Sequence, residues 1–458
     1  MKDNNEKKIG LFTVVCLCVG TIIGVGIFGS MPSAAQAAGP TLVLICVVAA
    51  IEILIRYTPA MIPSSAIPAS NGFYMYLTRL VNPYLGYLQI LQVLFNVFVL
   101  ALLAQVFAQY VGVLMPCNGT VVALGILAIF GILAFFGVRT SAMVNNIMVI
   151  VLIVALGIFI LFGIPDVKPE YFTIGKVFSF SHMSFTDFGA VLGLIGSCMT
   201  GGYVSIYYAE DMKNPQKNVF RAFVLSTLVV AFIYIFLSVV TTGVTSPDKI
   251  TSLADIAKMF MPHGVFLLFM IGGALTALAT TITGSILAGM VSLSVIARDK
   301  VLPDVFNKTN KHNVSVASLL LIVLASMFIV VFNLPIGTLM SVSSVIAIII
   351  ALVQFIPAIV VQKKYPNCYK HAPIKFSDPF LYTIMVIAFA LCMYEAYSLV
   401  KTTAGGVWIA SVATVVIGYA YLLVRKAYLK SKGVDLLAIM SAPYEPWEEK
   451  EKELEELA

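Results

Sequence analysis

Long apolar runs alternate along the chain with short interruptions of glycine, proline or charge. The runs extend over about 9–37, 41–62, 84–115, 119–137, 141–164, 186–209, 219–245, 264–296, 316–333, 336–361, 379–400 and 405–429. Each is close to or beyond the ~20 residues that carry a helix across a bilayer. They are too long and too continuously apolar for the alternating strands of a barrel, and backbone amides in hydrocarbon must be satisfied within the segment. The pattern predicts an all-α integral membrane protein with twelve transmembrane helices.

Composition agrees with that pattern and excludes other classes. Of 458 residues 60% are hydrophobic and 11% charged, where a soluble chain carries about 25% charge. Mean hydropathy is +0.99 over the whole length, which leaves no segment for a separate soluble domain of ~100 residues and excludes a tethered soluble enzyme.

Charge placement tests the topology independently. With twelve spans both termini share one side, and 22 of the 28 Lys and Arg fall there, including Lys7, Arg79, Arg139, Lys213, Arg298, Lys364 and Arg425. The other side holds Lys168, Lys176, Lys249, Lys258 and Lys401, and Arg56 lies inside a span. By the positive-inside rule the termini are expected in the cytoplasm of a cell whose plasma membrane the chain crosses repeatedly. The first span follows a charged lead, residues 1–8, without a small-residue cleavage site, and is expected to be retained. Residues 430–458 read as a cytoplasmic tail, solvated and acidic, with seven glutamates between Glu445 and Glu456.

The most informative segment is Gly20-Thr21-Ile22-Ile23-Gly24-Val25-Gly26-Ile27-Phe28-Gly29, which sets four glycines in the middle of the first span. Glycine costs about 1 kcal/mol per helix position, so the cluster favours a break, which membranes tolerate where backbone lines a cavity or is buried in protein. Amides starting the second half-helix would face an anionic group. The competing reading is that small residues only let helices pack closely. Gly196-Ser197-Cys198-Met199-Thr200-Gly201-Gly202-Tyr203 repeats the device in the sixth span, Gly201 following Gly24 by 177 residues. Two interrupted spans opening corresponding five-helix halves point to inverted repeats over 9–164 and 186–361, with a midplane binding site and two peripheral helices over 379–429.

The same residues carry a family resemblance. Gly24-Val25-Gly26-Ile27-Phe28 resembles the G-x-G-I-F signature of amino acid permeases in the amino acid, polyamine and organocation (APC) superfamily. Ile67-Pro68-Ala69-Ser70-Asn71-Gly72-Phe73-Tyr74 is similar to its I-P-x-S-G-G-x-Y loop, with Asn71 replacing a glycine. Ala209-Glu210-Asp211-Met212-Lys213-Asn214-Pro215 resembles A-E-E-x-K-N-P, and Ala297-Arg298-Asp299-Lys300-Val301-Leu302-Pro303 resembles A-R-D-G-x-x-P. The resemblance implies a LeuT-like fold of five helices plus five inverted, with spans one and six broken. It implies that a substrate carboxylate meets the amides around Ile23, Gly24, Val25 and Gly26. The ammonium would meet carbonyls near Thr21, Ile22, Met199 and Thr200, with Gly201, Gly202 and Tyr203 completing the site.

Departures from the family pattern bear on mechanism. Gly202 stands where relatives often carry an aromatic residue and is expected to enlarge the pocket, with Tyr203 returning an aromatic wall; this favours neutral, medium or large side chains. A lysine that several relatives carry on span five aligns with Leu152 here, which argues against a lysine-based proton mechanism. Sodium coupling would instead use span-eight hydroxyls, with Thr280, Thr281, Thr283 and Ser285 as the candidate ion site; helical Ser and Thr also commonly bond their own helix.

Ionisable residues inside spans are functional by default. Glu52 and Arg56 stand four apart on one helix face and can neutralise each other, or serve a gate or selectivity; Glu395 is expected to pack against a polar neighbour on a peripheral helix. Gln89, Gln92, Asn96, Gln105 and Gln109 form a polar stripe on span three, read as glue between helices.

The composite expectation is a secondary transporter for L-amino acids, driven by a sodium or proton gradient or by an exchanged amino acid. ATP-binding loops of Walker type are missing from the sequence. An enzyme, a metal or other cofactor, a nucleic-acid partner and an obligatory partner subunit are not expected. The alternatives are a polyamine or cationic amino acid transporter, for which Glu52 is the central acid, and a membrane sensor or channel-like protein that binds without transporting.

Overall fold

The computed structural model describes residues 8–24, 26–177, 183–332, 350–402 and 405–457. These residues are helical throughout apart from loops, and one isolated bridge, Ile9 to Met212, is the only β-type pairing among them. The helices that position the site are α1 (Leu11–Ile22), α2 (Met31–Ala38), α3 (Leu42–Met61), α4 (Pro83–Leu114), α5 (Gly119–Phe135), α6 (Val138–Gly163) and α7 (Phe185–Met199). They continue with α8 (Pro215–Gly243), α9 (Leu253–Phe260), α10 (His263–Phe269), α11 (Thr276–Arg298), α12 (Val316–Val331), α13 (Ile356–Lys364), α14 (Asp378–Thr402), α15 (Gly405–Lys430) and α16 (Glu445–Glu456).

Among the described residues eight stretches are long and apolar enough to cross a membrane, the first of them, Leu11–Met61, covering two of the spans anticipated from sequence. Gly119–Phe135 and Val316–Val331 are shorter apolar helices at two further anticipated positions. Of the anticipated 336–361 span, residues 336–349 lie outside the described residues.

The first span and α11 form the centre. Nearly every side chain of α11 is buried, and α1 packs against α6, α8 and α11. Small residues set these distances: a Cβ on Gly20 would stand 2.9 Å from Cβ of Thr280 and 3.0 Å from Cγ2 of Val149. The polar stripe of α4 divides between two uses. Asn96 donates to the carbonyl of Ser285 (3.2 Å) and Gln89 accepts from Gln354 (3.5 Å), while Gln109 borders a cavity. At the periphery, α14 and α15 expose Val386, Ile409 and Ile417, the apolar surface expected towards lipid.

The acidic tail departs from expectation, because it is folded back onto the protein. Trp447 of α16 is 2% exposed and its indole N–H donates to the carbonyl of Pro68 (3.4 Å). Glu451 accepts from the backbone amides of Asn367 (2.8 Å) and Cys368 (2.7 Å), which open the short helix Pro366–Lys370, and Glu448 accepts from Tyr365 (2.6 Å). The glutamates therefore cap a helix N-terminus and anchor a buried tryptophan. Burial, reinforced by Glu451, pushes the Cys368 thiol up to about 12.

Candidate functional site

Both glycine clusters interrupt their helices. The first span leaves helical geometry at Ile23 (φ −81°, ψ 96°), passes Gly24, and resumes through a wide turn over Gly26–Ser30 into α2; Val25 lies outside the described residues. The second interruption follows α7, where Thr200 is extended (φ −81°, ψ 125°) and the chain continues as a tight helix over Gly202–Tyr208. The first amides of a helix and its last carbonyls lack intrahelical partners, so each interruption presents both kinds of group at mid-span.

The two breaks cross in contact. A Cβ on Gly26 would lie 2.6 Å from Cβ of Cys198 and 2.7 Å from the Tyr234 hydroxyl, and one on Gly201 would lie 2.8 Å from Cγ1 and 3.3 Å from the backbone of Ile22. The Cys18 thiol donates to the carbonyl of Gly202 (3.4 Å) and the Tyr234 hydroxyl to that of Cys198 (3.2 Å). Thus the first break meets the second through Gly26 at Cys198 and Ile22 at Gly201, while Ile23 and Gly24 abut Thr281 of α11. Thr21 faces α11 at Gly284 and bonds back to Leu17 (2.7 Å).

Gly202 does not open the space that the sequence reading expected, and Tyr203 belongs to an aromatic cluster. The space beside Gly202 is occupied by α8, with a Cβ there 2.8 Å from the Ser226 hydroxyl and 3.1 Å from Phe223, so the missing side chain is filled by a neighbour. Tyr203 stacks on Tyr57 of α3 (centroids 5.0 Å) and meets Phe73 (5.7 Å), joining an aromatic cluster behind the break.

The four span-eight hydroxyls also divide. The Thr281 hydroxyl lies 2.8 Å from the carbonyl oxygen of Gly20, 3.1 Å from that of Ile23 and 2.9 Å from that of Ala277. One hydroxyl donates one hydrogen, so two of the three carbonyl oxygens keep lone pairs directed at the same point. Thr280 sits beside Gly20 and bonds Ala277 (2.8 Å), Thr283 bonds back to Ala279 (2.9 Å), and Ser285 is buried a turn further along. On α6 the side chains that approach Gly20 are Asn145 and Val149.

The face that carries the N-terminus is closed by residues from three of the sequence motifs. Asp299 accepts two bonds from the Arg79 guanidinium (2.6 and 3.0 Å) and one from the Tyr74 hydroxyl (2.7 Å). Arg298 pairs with Glu210 (3.1 Å), the Glu210 amide donates to Ser70 (3.0 Å), and across the bridge the Ile9 amide donates to the carbonyl of Asp211 (2.8 Å) while that of Lys213 donates to the carbonyl of Ile9 (2.9 Å). Burial, with Glu210 adjacent, raises the Asp211 carboxyl above its ordinary range. The sequence reading left Arg79, Tyr74 and Asp299 without a role; their signal was two opposite charges, Arg79 and Asp299, at or next to motif positions.

The opposite face holds a cavity of about 430 Å³, bordered by Phe28, Ser30, Gln109, Tyr110, Leu194 and Ser252. Tyr110 donates to the carbonyl of Phe28 (2.8 Å) and its ring packs edge-on against Phe28 (5.8 Å). The cavity therefore begins beyond Gly26, on the far side of the first break from the Arg79–Asp299 closure.

Glu52 and Arg56 form the anticipated pair (2.5 Å), and Glu395 of α14 joins the same guanidinium. Glu52 is thus paired with Arg56, and Glu210 with Arg298.

A model of the amino acid permease family matches residues 9–428. The chain is 25% identical over 464 aligned positions to a methylthioribose transporter of Bacillus subtilis, covering 93% of this chain and 95% of that protein. It is 28% identical to the human large neutral amino acids transporter small subunit 2 over 56% of this chain and 50% of that one. The branched-chain amino acid permease BcaP of B. subtilis is 27% identical over 52% of this chain and 55% of its own length.

Proposed function

The chain belongs to the amino acid permease family, and from that premise we propose that it is a secondary transporter moving a neutral L-amino acid by alternating access. The observation that carries the reading is the contact of the two helix breaks, Gly26 on Cys198 and Gly201 on Ile22. Their unpaired amides suit a carboxylate and their unpaired carbonyls an ammonium, so a zwitterion is held by backbone alone. Ile23, Gly24, Val25 and Gly26 take the carboxylate; carbonyls near Thr21, Ile22, Met199 and Thr200 take the ammonium. We read the fold as twelve spans in the LeuT-like arrangement, with the N-terminal face cytoplasmic, which agrees with the clustering of Arg79, Arg298, Lys213 and Lys364 on that face.

In this reading the structure is the outward-leaning state, with a vestibule of about 430 Å³ on one side and the Arg79–Asp299–Tyr74 closure on the other. Substrate arriving from the vestibule displaces the Tyr110–Phe28 contact to reach the breaks. Sodium, as the alternative to a proton, would take Thr280, Thr281 and the carbonyls of Gly20, Ile23 and Ala277, oxygen donors of the kind a hard cation accepts.

The relatives' names, large neutral amino acids and branched-chain amino acids, support an uncharged side chain. A second reading, an uncharged thioether sugar, is favoured by one observation, the methylthioribose transporter that aligns over nearly the whole chain. Competition in proteoliposomes separates them: leucine, methionine and phenylalanine should block labelled leucine uptake while lysine, putrescine and methylthioribose do not. Competition by methylthioribose alone would replace the amino acid with the sugar.

A further inference from the structure

The helix pair α3 and α14 encloses an unbalanced charge. Glu52 and Arg56 are 3% and 7% exposed, and Glu395 reaches them from the neighbouring helix with a side chain 14% exposed. Both carboxylates address the same guanidinium nitrogen, Nη2 of Arg56. Oε2 of Glu52 is buried and has no hydrogen-bond partner among the described residues. With both acids ionised the cluster carries one net negative charge, two carboxylates against the single guanidinium of Arg56. The other titratable groups facing it are neutral: Tyr57 on α3, Cys392 on α14, and Tyr203 stacked on Tyr57.

An unpaired buried charge is costly, and two carboxylates sharing one site hold a proton between them. The cluster also touches the broken helix. α7 presents Gly189 to the Tyr394 hydroxyl, and a Cβ on Gly196 would lie 3.4 Å from Oε2 of Glu52 and 3.9 Å from Oε1 of Glu395. Gly196 is one turn ahead of the break at Thr200, whose hydroxyl bonds its carbonyl (2.8 Å). A shift of α7 against α3 and α14 therefore changes the surroundings of the orphan oxygen directly.

We propose that Glu52 and Glu395 bind one exchangeable proton and that this is the ion carried with substrate. The proposal rests on the transporter reading. The proton is taken from water on the vestibule side, forms an O–H bond on the carboxylate pair while α7 is in the state seen here, and is returned to water on the other side after α7 moves; no other bond changes. Each unit of pH gradient then supports about a tenfold accumulation of a neutral substrate.

The test uses the full chain in sodium-free liposomes and two readouts. Under an inward proton gradient the wild-type protein should accumulate leucine and acidify trapped pyranine, and Glu395→Gln and Glu52→Gln should lose both the accumulation and the pH dependence of exchange. Infrared difference spectra of the purified protein should show a protonated-carboxyl band that base removes and that both variants lack, which reads the site even where a variant does not transport. Wild-type protein without that band, or variants that accumulate leucine as the wild type does, would overturn the proposal. A band present and lost in both variants, with no transport of any substrate by the wild type, keeps the proton site and places the failure in the transporter reading.

Discussion

Removing Asp299 should open the N-terminal face. Asp299 and Arg79 have side chains 7% and 9% exposed, and Asp299 accepts from Arg79 twice and from Tyr74 once. Deleting one partner of a buried pair costs about 3–5 kcal/mol, because the other charge is left uncompensated. Arg79 also lies 5.9 Å from the Tyr444 ring and near the surface, so the lower figure, about 3 kcal/mol, is the relevant one. Since the pair joins the loop before α4 to the end of α11, all of that cost falls on the closed state. A change of about 3 kcal/mol moves the open-to-closed ratio about 100-fold. Native thiols report it: Cys18 is buried at the break on the N-terminal side, Cys198 is half-buried on the vestibule side, and Cys117 is exposed. Maleimide labelling followed by peptide mass spectrometry should show Cys18 labelling rise by about two orders of magnitude in Asp299→Ala. Cys46 and Cys392, buried elsewhere, should stay protected, which separates opening from unfolding. Asp299→Asn, keeping an acceptor for Tyr74, should fall between. An unchanged Cys18 rate in Asp299→Ala, with the Cys117 control intact, would refute the closure.

Three further outcomes are expected. Gly26→Ala forces a methyl against Cys198 and Tyr234 and should cost about 1–3 kcal/mol of stability while cutting leucine uptake far more than folding, as read by size-exclusion profile against initial rate. Trp447→Ala should undock α16, return the Cys368 thiol from about 12 towards its ordinary range, and speed its labelling at neutral pH. The Thr251 and Ser252 hydroxyls hold the Asp255 carboxyl below its ordinary range at the start of α9. That contribution is present above the usual carboxylate range and lost as pH falls through the depressed value, so the protection of α9 amides relative to their intrinsic exchange rates should fall on acidification.

The sequence carries the helices and the two breaks because both are local signals: apolar length for the first, glycine density for the second. Gly24, Gly26 and Gly201 were legible because glycines cluster at both places, where close packing alone needs only one or two. What stayed hidden depends on pairs distant in sequence. Glu395 lies 339 positions from Arg56, and its neighbour is fixed only by the packing of α14 on α3 and α7. Gly202 shows the converse, where a small residue suggested space but α8 supplied Ser226 and Phe223 to fill it. The tail was misread because a run of glutamates resembles a solvated segment, whereas one residue, Trp447, and the amides of Asn367 and Cys368 give it a docking site.

The most direct measurement is exchange of labelled amino acids into proteoliposomes loaded with the same amino acid, comparing L- with D-leucine for the wild type and Gly26→Ala. The account predicts saturable exchange of the L-enantiomer that Gly26→Ala abolishes. Equal signals for both enantiomers, or exchange unaffected by the added methyl, would contradict a backbone site at the crossing of the two breaks.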